Sequence, residues 1–66
     1  MRDPKRLDYF YEELKHIHQE ECPDLRFGQF VIIVFDWIST TKQRRPFGLE
    51  EEAMLALFRE YVESFR

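Results

Sequence analysis

Three stretches of the chain are rich in apolar residues, and the first and last carry them at helical spacing beside residues that break helices. In the first, Leu7, Phe10, Tyr11, Leu14, Ile17 and His18 recur every three or four positions, with Asp8, Glu12, Glu13, Lys15, Gln19 and Glu20 between them. That spacing lines apolar side chains along one side of an α-helix. Asp3-Pro4 supplies its start, an aspartate cap followed by a proline whose missing N–H costs nothing in the first turn. Cys22-Pro23-Asp24 ends it, because the residue before a proline is driven out of the helical region. The pattern predicts a helix over residues 4–20.

The last stretch is read in the same way. Pro46-Phe47-Gly48 breaks the chain, and Glu50, Glu51 and Glu52 then put negative charge where a helix dipole favours it. Met54, Leu57, Phe58, Tyr61, Val62 and Phe65 form one apolar stripe, and Arg59 is placed to pair with Glu63 one turn on. A helix over residues 49–64 is predicted.

The middle stretch is ambiguous by local propensity. Phe30 to Ile38 is dense in β-branched and aromatic residues, the composition of a strand. No second run in the chain can pair with it, and a lone strand leaves its backbone groups unsatisfied. A strand here would need an intermolecular sheet, whereas a helix bonds its own backbone. We therefore expect a helix over residues 25–38, capped by Asp24. The whole is read as one all-α domain, residues 1–66, with three helices and the middle one central. Thr40–Arg45 serves as the second helix–helix loop.

Composition sharpens this picture. Sixty-six residues allow one small domain, and 44% hydrophobic with 17% aromatic residues is too apolar for a disordered chain. A single cysteine, Cys22, excludes an internal disulfide. Met1–Lys5 does not resemble a signal peptide, and the Phe30–Phe35 run is far below the roughly 18 residues of a membrane span. A cytoplasmic location, with no membrane association, is the expectation.

A helix apolar nearly all round must be buried nearly all round. Phe27, Phe30, Val31, Val34, Phe35, Trp37 and Ile38 can meet the outer helices, while Arg26, Gln29, Asp36 and Ser39 gather on the other side. Ile32 and Ile33 fall beside Gln29 and Asp36. Either the Thr40–Phe47 loop covers them, or they form an association surface, most simply a twofold homodimer. Gln29, Ile32, Ile33 and Asp36 are the candidate interface, with the chain itself, an unidentified protein, or both as partner. Gly28 marks a close helix crossing or an irregular first turn.

Candidate chemistry is sparse. His16, His18 and Cys22 are too few and wrongly spaced for a structural zinc site, and Cys22 with His18 lacks a third group to orient the histidine. The paired carboxylates Glu12-Glu13, Glu20-Glu21 and Glu50-Glu51-Glu52 read as solvated faces and helix-start charges. A chain this short rarely encloses a cavity of several hundred Å³. Neither an enzymatic site nor a cofactor is expected. Lys42, Arg44 and Arg45 form the one basic cluster and, with Arg26, are candidate polar contacts. The net charge of −3 weighs against nucleic acid, and no helix presents the polar, basic face of a recognition helix. Nucleic-acid binding through residues 42–45 is the alternative function to a binding or accessory module.

The segments Arg6-Leu7, Cys22-Pro23-Asp24-Leu25-Arg26-Phe27-Gly28-Gln29-Phe30 and Pro46-Phe47…Glu50-Glu51-Glu52 resemble a group of short, largely uncharacterised bacterial proteins, often phage-associated. The shared pattern is an arginine-bearing first helix, P-D-x-R-x-G-Q, an aromatic helix, then P-F and acidic residues opening the last helix. The resemblance spans most of the chain and implies a helical fold and a bacterial origin. It carries over no catalytic residue. Similar chains often have a polar residue near Ile33, so this sequence departs there. Arg26 and Gln29 then read as structural, capping a helix or bonding the acidic start of the last one.

Overall fold

The computed structural model describes residues 2–65, and among them it shows three α-helices and no strand. Helix α1 spans Arg6–Glu21, α2 spans Phe27–Thr41 and α3 spans Glu51–Glu63, with a short 3-10 turn at Pro46–Gly48 before α3. The all-α three-helix architecture is as expected, and the Phe30–Ile38 segment is helical.

The ends differ in instructive ways. Asp3 does cap the chain's entry into α1, its Oδ1 accepting the Lys5 N–H at 2.9 Å, but the regular helix begins only at Arg6 after a turn through Pro4 and Lys5. Asp24 does not cap α2. The capping position is Arg26, whose N–H is accepted by Gln29 Oε1 at 2.8 Å, so the satisfied donor lies two residues later than expected. At the other end α2 runs on to Thr41, three residues past the expected stop. Thr40 Oγ1 bonds back to the Asp36 carbonyl at 2.8 Å, and Gln43, at φ 56°, turns the chain so that the Arg44 N–H reaches the Ile38 carbonyl. That left-handed turn is usually made by glycine or asparagine, so a glutamine gave no warning of it.

Helices α1 and α3 lie side by side and parallel. Arg6 Nε donates to Glu51 Oε1 at 2.8 Å, and one heptad further Arg59 donates to Glu13 Oε1 at 2.6 Å. Arg59 thus ties two helices together. Helix α2 crosses this pair steeply. Phe30 and Phe35 both meet Phe58, Trp37 meets Tyr61, and Lys42 pairs with Glu60. From Phe30 to the capping residue Lys42, about 18 Å along the axis, the contacts therefore fall on Phe58–Tyr61 of α3, a rise of about 4.5 Å.

The core comes from one stripe of each helix: Leu14 and Ile17; Phe30, Val34 and Ile38; Leu55, Leu57, Phe58 and Val62. Leu55 is buried although it fell outside the predicted stripe, because α3 packs against both neighbours and needs a wider apolar face. Phe65, placed in that stripe, is exposed and meets Tyr61 edge to face. Gly28 fits neither expectation. It lies in regular helix, and a Cβ built on it would meet nothing within 4 Å. Gly28→Ala should therefore stabilise the fold by about 0.5–1 kcal/mol through lost backbone freedom in the unfolded chain. A thermal melt showing an unchanged or lower midpoint would contradict that placement.

The Arg6–Glu51 pair also gives the fold a pH dependence. The hydrogen bond and charge of Arg6 hold the Glu51 carboxyl below its ordinary value of 4.5. A carboxyl lowered by folding contributes stability above its unfolded value and loses it as pH falls through the folded one. Glu51→Gln should accordingly flatten the acid limb below pH 4.5. Urea midpoints recorded on both sides of that pH for the two proteins would show it.

Candidate interaction surface

The buried stripe of α2, Phe30–Val34–Ile38, leaves the opposite side of the helix facing outward. Ile32 stands at the centre of that outer side, 63% exposed, and Ile33 at its flank, 38% exposed. Gln29 and Asp36 are exposed between and beside them. The Thr40–Phe47 loop packs against α2 but does not cover the two isoleucines, so that expectation is overturned. Three residues of regular helix, Ser39–Thr41, carry the chain past this face before it turns. The expected interface residues Gln29, Ile32, Ile33 and Asp36 thus share one surface, framed by Arg26 at the start of the helix.

Phe27, expected among the covered residues of α2, is 60% exposed in its first turn. It stands 6.5 Å from the His18 ring, whose other neighbour is Phe30, stacked at 4.6 Å. His18 Nε2 lies 2.6 Å from the Leu25 carbonyl, which can only accept, so Nε2 carries the proton. The histidine thereby fastens the α1–α2 connection. Cys22 is buried at the end of α1, and that burial pushes its thiol up from its ordinary value, the opposite of what activates a nucleophile. His16 meets Glu12 at 3.3 Å and lies on another side of α1. Among the described residues, no three His, Cys, Asp or Glu side chains are grouped to hold a metal ion.

The basic cluster does not act as one patch. Lys42 pairs with Glu60 and sits 5.6 Å from the Trp37 ring centroid, held against α3. Arg44 and Arg45 remain exposed, without a carboxylate partner among the described residues. Next to them Phe47 is fully exposed, raised on the 3-10 turn that Pro46 opens. Arg26 does not reach the acidic start of α3; Arg6 and Arg2 do.

One feature escaped sequence reasoning. A groove of about 460 Å³ runs between the beginnings of α1 and α3, with Phe10 and Leu55 in its floor and Tyr9, Arg6 and Glu52 along its rim. It depends on the parallel placement of those helices, which no local pattern announced. It is a partly open cleft rather than a closed cavity.

The molecule is therefore a small all-α domain whose second helix keeps an apolar outer face. No family model, curated protein or solved structure matches the chain. No helix among the described residues is long and apolar enough to cross a membrane.

Proposed function

We propose that this chain is a non-catalytic binding module of the cytoplasm that associates with a second copy of itself through the outer face of α2. The carrying observation is the exposure of Ile32 in the middle of a helix whose other side is already core. Neighbouring apolar side chains left in water are stabilised by covering them, at about 25 cal/mol per Å². A 15-residue helix is about 22 Å long and 10 Å across. Helix-on-helix contact then falls short of the roughly 800 Å² per partner of a standard complex, and association is weak and concentration-dependent. Light scattering across a concentration series should show the mass rising from 8.2 kDa toward about twice that value. A clean monomer at high micromolar concentration would remove self-association and leave a different protein as the occupant of the face. On the Pro23–Gln29 and Pro46–Glu52 patterns alone, we also place the chain among the short bacterial, phage-associated proteins.

A second reading rests on a different observation. Phe47 stands free in solvent beside two unpaired guanidinium groups, a pairing suited to stacking a base while neutralising its phosphates. Single-stranded nucleic acid would then bind through Arg44, Arg45 and Phe47, with Lys42 held back by Glu60. A mobility shift that weakens steeply with salt supports it, and no shift at low salt ends it.

A further inference from the structure

We infer that the second copy packs antiparallel on α2, with Arg26 of each copy facing Asp36 of the other across a twofold axis beside Ile32. This rests on the self-association proposed above and specifies its geometry.

The fold leaves some charged side chains without a partner. Arg2, Arg6, Lys15, Lys42 and Arg59 each have a carboxylate partner. Among the described residues Arg26, like Lys5, Arg44 and Arg45, has none, and of these Arg26 stands at the start of α2; Asp36 has no cationic partner. Both are exposed, and both border the face that carries Ile32 and Ile33. They stand ten residues apart, about 15 Å along the helix. Parallel packing would set Asp36 against Asp36 and Arg26 against Arg26, so like charges would meet at both ends of the contact. Antiparallel packing sets each arginine against an aspartate, twice by symmetry. The axis midway between them crosses the outer face at the level of Val31, whose own side chain packs against the core, and so brings Ile32 and Ile33 of both copies together at the centre. Gln29 fits the same arrangement. Its Oε1 is occupied by the Arg26 N–H, so its amide N–H₂ is left to donate to Asp36 of the other copy.

Charge reversal tests the orientation. Arg26→Glu and Asp36→Arg should each weaken dimerisation by about tenfold, since two exposed ion pairs become two repulsions. The double variant should return close to the wild-type affinity, because both pairs are rebuilt with their signs exchanged. Arg26→Gln and Asp36→Asn, which only delete charge, should weaken it by smaller steps in the same direction. Sedimentation equilibrium reads the affinities, and circular dichroism reports whether each exposed substitution leaves the helices intact. Single reversals that leave a dimeric wild type unaffected, or a double variant as weak as the singles, would overturn the antiparallel pairing while self-association stands. A monomeric wild type would overturn both.

Discussion

Replacing Phe30 with alanine is expected to leave much of the chain unfolded at room temperature. Phe30 is fully buried, stacked on His18 of α1 at 4.6 Å and edge-on to Phe58 of α3 at 5.3 Å. It is the side chain at which all three helices meet. Truncating a buried phenylalanine costs about 3–5 kcal/mol, from lost transfer energy and the cavity left behind. A chain of 66 residues, at roughly 0.05–0.15 kcal/mol per residue, has only about 3–10 kcal/mol to lose. One substitution thus removes a large share of the total. Phe47→Ala is the control, since a fully exposed ring takes no part in the core and its loss should leave the melting curve in place. Thermal melts by circular dichroism compare the two, and an Phe30→Ala protein melting within a few degrees of wild type would contradict the packing described above.

The second large effect concerns association. Ile32→Lys with Ile33→Lys should abolish self-association while leaving helix content and the monomer's melting behaviour nearly unchanged. Fully burying an exposed isoleucine contributes about 1.5–3 kcal/mol, of which Ile32 at 63% and Ile33 at 38% exposure have only a part left to gain, and the substitution replaces the four of them in a dimer with four clustered ammonium groups. The core stripe Phe30–Val34–Ile38 faces the other way and does not feel the change. Light scattering and a thermal melt on the same samples separate the outcomes. Loss of structure in the double variant would mean that these positions are internal, and retained association would move the interface elsewhere.

Much of the fold was legible because helical periodicity is a local property. The repeat of Leu14 and Ile17, or of Phe58 and Val62, needs no knowledge of the rest of the chain. The middle helix was reached by elimination, through the lack of any partner strand, and its backbone bonds bear that out. What failed were statements about which of several equivalent groups takes part. Asp24 and Gln29 are both able to cap a helix start, and Gln29 does so because the chain remains extended through Arg26. That Arg59 reaches Glu13 on α1 at 2.6 Å is a contact no local spacing announces. Lys42 looked like part of a basic loop until α2 extended to Thr41 and carried it against Glu60 and Trp37.

The outer face of α2 divides along the same line. That Ile32 and Ile33 sit among Gln29 and Asp36 follows from 100° per residue, and the sequence by itself determined it. It likewise determined the helical class, the acidic opening of α3 and the break at Cys22-Pro23. Whether the loop after α2 would fold over those isoleucines was decided only in three dimensions. Helix α2 crosses the parallel α1–α3 pair steeply, so one stripe suffices to cover the core and the opposite stripe is left outward. Crossing angle and relative direction arise from how side chains of distant segments interlock. No window of sequence contains both sides of that contact.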